Sequence, residues 1–344
     1  MVNVNSLVPM KSERIKEILE KIKTVRVAAF GDICIDIYWH VDMRMSELSR
    51  ETPHFAMPVV KERLSLGGGG NVLANMAALC PRQVLAGGLI GDDWRGREIV
   101  GLMEAAGIDT RHIVCEAGLI SNAFCKPLRR GITDIVYEDP RLDFANVEPF
   151  DTEVEERLIS SLDKLAASAN ILCISDQLPL NVYGAVTKRV REHILSLAKD
   201  GLTVVVDSRD KIGLYTNAIL KPNEVEGARA VGLDAVNDLE GCAKAAQALA
   251  KRQLSEVIMT VGEKGSIYVS GDKITHIPAQ TVTGEIDIVG AGDSFISGFA
   301  LALAAGASRP EAAYFAGLCS AITIKKIGTT GTASPEEIIS SMHP

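Results

Sequence analysis

The feature that most limits what this chain can fold into is a rhythm. Short runs of strand-forming apolar residues alternate with helical patterns over most of its 344 residues. The strand runs are VRVAAFGD (25–32), VLAGGLIG (84–91), ANILCIS (169–175), LTVVVDS (202–208), AILKPN (218–223) and EVIMTVG (256–262). Between them lie NVLANMAALC (71–80), WRGREIVGLMEAAG (94–107), TEVEERLISSLDKLAAS (152–168), NVYGAVTKRVREHILSLAKDG (181–201) and GCAKAAQALAKR (241–252), with apolar residues at helical spacing. Ahead of the first strand, residues 11–23 place Ile15, Ile18, Leu19 and Ile22 on one helical face. Strand alternating with helix means βαβ units, hence an α/β fold with a mostly parallel sheet. Right-handed crossovers then put helices on both faces of that sheet.

In such sheets the ligand sits at the carboxyl ends of the strands. Gly31-Asp32, Gly91-Asp92, Asp176, Asp207, Asn223 and Gly262 all fall just past strand runs, so they are expected on one edge. Two segments break the rhythm. ICIDIYWHV (33–41) and the pair NAFCKPL/TDIVYED (122–139) are rich in β-prone residues and lead into no crossover helix. They read as a small antiparallel sheet standing off the main one, or else as edge strands of it. No linker divides the chain, so 1–344 reads as one domain.

Composition closes off several function classes. A net charge of −8 argues against a nucleic-acid surface. The seven cysteines (34, 80, 115, 125, 173, 242, 319) include no C-x-x-C pair, which fits reduced, mostly buried thiols in a cytoplasmic protein. The start of the chain is polar and then charged, unlike a signal peptide, and no run approaches 18 apolar residues. The histidines (40, 54, 112, 193, 276, 343) show no zinc spacing, and G-x-S-x-G is absent.

Chemistry concentrates at DIVGAGD (287–293), which runs straight into the apolar stretch SFISGFALALAAG (294–306). A helix start leaves N–H groups unpaired and carries positive dipole charge, so it attracts anions. Asp293 there is either an N-cap or a base beside a phosphate, and a cap needs no Gly-Ala-Gly before it. The run LGGGGNVLANMAALC (66–80) is a flexible loop or a second close-approach site, with Asn71 supplying a donor and an acceptor. It is not a P-loop, and no dinucleotide fingerprint follows the first strand. Asp32 and Asp36 suit sugar hydroxyls, or form a solvated surface pair. Lys126, Arg129 and Arg130 are a solvated face, or a cluster for a substrate phosphate.

Together these pieces resemble the ribokinase-like (PfkB) carbohydrate kinases over about residues 25–338. The resemblance rests on GD-x-x-x-D (Gly31, Asp32, Asp36), GG-x-x-N (Gly67, Gly68, Asn71), G-x-D-x-x-G (Gly91, Asp93, Gly96) and N-x-x-E (Asn223, Glu226). It continues through T-x-G-x-x-G (Thr260, Gly262, Gly265) and GAGD (Gly290–Asp293). Within the family, GDICIDIYW, ETPHFAMPVVK (51–61), RLDF (141–144) and KKIGTTGTASPEE (325–337) look most like kinases that phosphorylate heptose 7-phosphate at C1, in the ADP-heptose route to lipopolysaccharide core. Ile288 stands where the family usually has Thr, AGLCSAI (316–322) lacks an asparagine often seen there, and the loop QLPLNVYG after Asp176 differs from the heptose kinases.

The resemblance implies a three-layer α/β/α domain with a β-sheet lid formed by about 33–60 and 122–144. It implies ATP as co-substrate, Mg²⁺ held through water near Glu226, and a K⁺ ion beside Asp287 as in some relatives. Asp293 would be the base, with the N–H groups of Gly290, Ala291 and Gly292 stabilising the transferring phosphoryl group. Asp32, Asp36, Gly67, Gly68, Asn71, Lys126, Arg129 and Arg141 would bind the sugar or sugar phosphate. Asn223, Thr260, Gly262 and Gly265 would line the nucleotide side. Lids of this kind pair between subunits, and Ile33, Ile35, Ile37 and Trp39 need covering, so a homodimer is expected. No nucleotidyltransferase half is present (no H-x-G-H occurs), so a separate nucleotidyltransferase would act with it. The competing readings are a kinase for another sugar or a nucleoside, and a non-catalytic sugar-binding protein on the same scaffold.

Overall fold

The computed structural model describes residues 4–342 apart from Asp134, Asn181, Ala235 and Asn237. Asp134, Asn181 and His343, which figure in the reading above, lie outside the described residues. The chain begins β1 (Val4–Ser6), α1 (Ser12–Ile22), β2 (Arg26–Gly31), β3 (Ile33–Asp42), β4 (Val59–Gly68), α2 (Gly69–Ala78), β5 (Gln83–Gly91), α3 (Trp94–Ala105) and β6 (Asp109–Glu116). It continues β7 (Ala123–Arg130), β8 (Val136–Glu138), β9 (Leu142–Phe144), α4 (Thr152–Ser168), β10 (Ile171–Asp176), α5 (Lys188–Lys199), β11 (Val204–Ser208) and β12 (Ile219–Leu220). It ends α6 (Glu224–Ala230), α7 (Leu239–Gln253), β13 (Glu256–Thr260), β14 (Ser266–Ser270), β15 (Lys273–Ile277), α8 (Ala291–Ala304), α9 (Arg309–Thr323) and α10 (Pro335–Ser341).

Among the described residues ten strands form one sheet, in the order β1-β15-β14-β13-β12-β11-β10-β2-β5-β6. Its pairs are parallel except β13–β14 and β14–β15. The continuous apolar strands serve two cores at once. Val27 and Ala29 of β2 enter one, and Ala28 and Phe30 enter the other. The first core is closed by Ile18 of α1, Met76 of α2, Phe299 of α8 and Phe315 of α9. The second is closed by Leu162 of α4, Ile194 of α5 and Leu249 of α7. This is the expected α/β/α layering, reached because strand side chains alternate between faces.

Two local expectations need correction. The helix read over 181–201 begins only at Lys188, where the Thr187 side chain accepts the Val190 N–H. The residues before it are bound elsewhere: Tyr183 bridges to Asn146, and the Ala185 N–H goes to Asp32. The small sheet is separate from the main one but mixed, in the order β4-β3-β7-β8 with β9 beside β7. Its β3–β7 pair is parallel, because the chain passes through β5 and β6 of the main sheet before returning. The cysteines are mostly buried, as expected; Cys80 and Cys115 are the exposed ones.

The two faces of the small sheet differ. Ile33, Ile35, Ile37, Leu66, Ala123 and Cys125 belong to the first core and are buried by the chain itself. The argument that those isoleucines need a second copy to cover them therefore fails. Trp39 is half-buried, with its indole N–H on Glu62. The opposite face carries Asp36, Tyr38, Arg63 and Lys126, which touch one another. No helix among the described residues is long and apolar enough to cross a membrane.

Candidate active site

Helix α8 opens at Gly290, whose φ of +82° turns the chain into the helix. A side chain there would press on the Asn71 amide, with Cβ 3.1 Å from Nδ2. No side chain caps the helix. The Ala291 N–H is taken by the Ile288 carbonyl at 3.2 Å, so of the three expected amides this one is already occupied. The N–H groups of Gly290, Gly292 and Asp293 have no partner among the described residues. They form the anion-attracting end of an apolar helix.

Asp293 is not the cap. It lies in the first turn, and its Oδ2 accepts Nδ2 of Asn71 at 2.6 Å. Asn71 sits on the first turn of α2, which springs from the glycine run: Gly68 turns at φ +53°, and the Gly69 N–H donates to the Asp32 carbonyl. Burial pushes the Asp293 carboxyl up to about 7. The Asn71 hydrogen bond and Lys221 oppose that rise, and the charges of Asp207 and Asp36 add to it. A carboxylate poised near neutrality within reach of three free amides can take a proton while an anion is held beside it.

Sequence reasoning missed Lys221. It is 4% exposed, with Nζ 3.2 Å from Asp207 Oδ2 and 3.7 Å from where a Cβ of Gly292 would stand. Burial works against its charge, but Asp207, Glu226 and Asp293 outweigh that and raise its pKa. Only the adjacency of β11 and β12 shows this, since Asp207 and Lys221 end neighbouring strands. Asn223 and Glu226 form a reciprocal cap on α6, with the Asn223 N–H on Glu226 Oε2. Burial, and then Asp207, raises the Glu226 pKa. Its Oε1 has no hydrogen bond among the described residues. No group of three His, Cys, Asp or Glu that could hold a metal occurs among them. One half-buried carboxylate beside Asp207 fits a hydrated divalent cation held through water.

Asn223 bridges to Thr260 at the end of β13, and Gly262 and Gly265 make the turn into β14. Asp287 ties loops together: Oδ1 accepts the Val289 N–H and Oδ2 the Gly328 N–H.

On the opposite side Asp36 pairs with Lys126 at 2.9 Å, and Lys126 also reaches the Tyr38 hydroxyl. Gly67 leaves room for Asp36, whose Oδ1 would lie 2.8 Å from a Cβ there. Arg141 stacks on Phe124 and bonds Asp143, and it lies near enough to Asp36 to feel its charge. Asn122 Oδ1, Ser65 Oγ and Ser175 Oγ are buried without partners. Such atoms are ordinarily met by water or by a polar ligand.

Two expected groupings come apart. Lys126, Arg129 and Arg130 are not one cluster, because strand alternation sends Arg129 to the other face from Lys126. Arg129 pairs there with Asp139, and Arg130 pairs with Asp42. Nor are Asp32 and Asp36 a pair. Asp32 is fully buried and accepts the N–H groups of Gln177, Leu178 and Ala185, so it anchors the 177–185 loop and offers nothing to a sugar.

A mostly parallel α/β sheet with a buried carboxylate among free amides at a helix start, opposite a polar wall on the small sheet, is an arrangement suited to phosphoryl transfer to an alcohol group. Residues 26–337 match the pfkB family carbohydrate kinase model, and the chain belongs to that family. It is 31% identical to the bifunctional protein HldE of Geotalea uraniireducens (strain Rf4) over 97% of this chain and 67% of that protein. It is 32% identical to the bifunctional protein HldE of Caulobacter vibrioides over 91% of this chain and 62% of that one. The chain thus spans about two-thirds of the length of these relatives. Among solved structures it resembles Arabidopsis thaliana ribokinase complexed with ribose and ATP (TM-score 0.72, 18% identity, 93% of this chain and 99% of that one). It also resembles Escherichia coli phosphofructokinase-2 in complex with potassium (TM-score 0.72, 20% identity, 92% and 98%).

Proposed function

We propose that this carbohydrate kinase transfers the γ-phosphoryl group of ATP to the C1 hydroxyl of D-glycero-β-D-manno-heptose 7-phosphate, giving the 1,7-bisphosphate for ADP-heptose synthesis in the cytoplasm. The Asn71–Asp293 contact at the start of α8 carries the catalytic half of this reading. Asp293 takes the proton from the C1 hydroxyl as its oxygen bonds the γ-phosphorus, and the bond from that phosphorus to the β-γ bridging oxygen breaks to release ADP. The free amides of Gly290 and Gly292, with Lys221, meet the charge on the transferring group. Glu226 and Asn223 would hold Mg²⁺ through water, where it would neutralise charge on the ATP phosphates, and Asp287 would hold K⁺. Thr260, Gly262 and Gly265 line the nucleotide. Asp36, Gly67, Gly68 and Asn71 face the sugar.

The whole chain acts as one kinase unit in this reading, with the small sheet as its lid. A separate nucleotidyltransferase would take the product onward. The lid leaves Met57, Val59 and Val60 exposed beside one edge strand and Val136 and Tyr137 on the other. A homodimer through these edges is the expected state. Sedimentation equilibrium at micromolar concentration should give twice the chain mass, and a monomer would contradict it.

The substrate half of the proposal is supported by Lys126 and Arg141 beside Asp36, and by the likeness of segments 51–61, 141–144 and 325–337. Lys126→Ala should raise the acceptor KM about 10–100-fold, the worth of a charged hydrogen bond, with ATP affinity nearly unchanged. Arg129→Ala, on the other face, should change neither. The deciding measurement compares kcat/KM for heptose 7-phosphate and unphosphorylated heptose. Equal use of both would sink the phosphate reading. A kinase for a neutral sugar or a nucleoside would then take its place, and one observation favours it: Lys126, Arg129, Arg130 and Arg141 each already pair with a carboxylate.

A further inference from the structure

The segment that leads into α8 is weakly held. Ile286, Ile288 and Val289 are exposed, and residues 284–288 form no helix or strand. Its ties to the rest of the fold run through the loop after α9. The Asp287 N–H donates to the Ile324 carbonyl at 2.8 Å, and Asp287 Oδ2 accepts the Gly328 N–H at 2.9 Å. The other oxygen, Oδ1, holds the Val289 N–H, immediately before Gly290. Thr330, two residues past Gly328, packs against Gly290 itself, 3.6 Å from where a Cβ would be. Ser320 and Asn71 hold the first turn of α8 from α9 and α2, but the approach to it and the Gly290 amide are placed by the 324–330 loop.

That loop has a tie to the small sheet that no local sequence pattern marks. Arg63 of β4 donates from Nη2 to the Gly328 carbonyl at 2.9 Å, across 265 residues. The guanidinium is not loose. Its Cζ sits over the Tyr38 ring, 3.7 Å from the centroid, and Arg63 and Tyr38 face each other in the β3–β4 register. The Tyr38 hydroxyl in turn accepts from Lys126 Nζ at 3.2 Å, and Lys126 pairs with Asp36. An unbroken path of contacts thus runs Asp36–Lys126–Tyr38–Arg63–Gly328–Asp287–Val289–Gly290. Its first half is the acceptor wall. Its second half is the anion-holding end of α8.

We propose that Arg63 is a positioning residue: a latch that couples the acceptor wall of the small sheet to the loop that places the phosphoryl-holding amides of α8. The inference rests on the kinase reading for which ligand lies at each end, but the latch itself is a property of the free chain. The cation–π contact with Tyr38 restrains the guanidinium, so less freedom is lost when it bonds the loop carbonyl. A segment held by few contacts responds strongly to the loss of one. An acceptor that seats Asp36 and Lys126 steadies Tyr38 and Arg63, and so steadies the loop that ATP needs. Reciprocity then requires ATP to favour acceptor binding by the same factor.

Two measurements on the full chain test this. The first needs no substrate. Amide hydrogen exchange of Arg63→Ala should be about tenfold faster than wild type in peptides covering 285–290 and 325–331, with β2 and β10 unchanged. Arg63→Lys, which keeps a donor but loses the guanidinium over the ring, should fall between. Unchanged exchange in 325–331 would overturn the latch. The second is calorimetric titration of β,γ-imido-ATP with and without heptose 7-phosphate. Wild type should bind the nucleotide about tenfold tighter with the sugar phosphate present, and Arg63→Ala should lose that gain while binding each ligand alone nearly as before. If Arg63→Ala instead loses affinity for the sugar phosphate alone and keeps the coupling, Arg63 is an acceptor ligand and the latch is wrong. If the sugar phosphate does not bind wild type at all, the substrate reading falls, and the exchange experiment still decides the latch.

Discussion

Asp293→Asn should fold, bind ATP nearly as wild type, and turn over about 10²–10⁴-fold more slowly, the usual worth of a general base. Asparagine keeps the shape and can still accept from Asn71 Nδ2, but it cannot take the acceptor's proton. Near-wild-type turnover would remove Asp293 from its proposed role. The wild-type pH profile belongs to the same prediction. The base works deprotonated, and burial sets its pKa near 7, so kcat/KM should climb with pH through about 7 and level off above it. Stability should move the other way. A carboxyl whose folded pKa lies above its unfolded value contributes stability that is fully present below the unfolded value and lost as pH rises through the folded one. Wild type should therefore lose thermal stability relative to Asp293→Asn between about pH 5 and 8. Parallel melting curves for the two proteins over that range would show that Asp293 carries no such burden.

Lys221→Met should be the most damaging single change at the site. The side chain is buried, and it is the cation that Asp207, Glu226 and Asp293 all face. Removing one partner of a buried ion pair typically costs about 3–5 kcal/mol, because the remaining charge is left uncompensated. Part of that cost is avoided if a carboxyl protonates, so the rising limb of the pH profile should shift to higher pH. Turnover at pH 7 should fall for the same reason, since less Asp293 is ionised. Adding Asp207→Asn should recover much of the lost thermal stability. An unmoved pH limb in the single variant would mean that Lys221 does not set the electrostatics of Asp293.

What could be read beforehand followed the periodicity of the side chains. The layered α/β/α sheet was legible because β2, β10 and β11 carry continuous apolar runs (27–30, 171–174 and 204–206), the pattern of strands buried on both faces, with their polar residues gathered at the ends. GAGD followed by an unbroken apolar helix marked the start of α8, and the glycine run marked α2. What stayed hidden depended on which strands become neighbours. Lys221 looked like part of a strand run, and its meaning came only from β11 lying next to β12. Lys126 and Arg129 looked like one cluster because they are three residues apart, a spacing that shares a face on a helix and divides faces on a strand. Asp32 and Asp36 misled in the same way, since Asp32 stands between two strands and turns toward a different loop. Arg63 carried no local signal at all, because its partner is 265 residues away.

The anchoring of the 177–185 loop has a practical side. Asp32 grips it through main-chain N–H groups, which every residue but proline supplies, so most side chains in the loop are not needed to hold it in place. Four positions are exceptions: a Cβ at Gly184 would collide with Asp32 Oδ1, and Leu178, Ala185 and Val186 are buried, the last two in the second core. The segment is thus mounted on main-chain bonds and a few buried side chains, and its exposed positions carry none of the load. Loops of other sequence, grafted between Asp176 and Thr187 with Leu178, Gly184, Ala185 and Val186 kept, should be accommodated without rebuilding what lies beneath, which opens the exposed positions of this stretch to redesign.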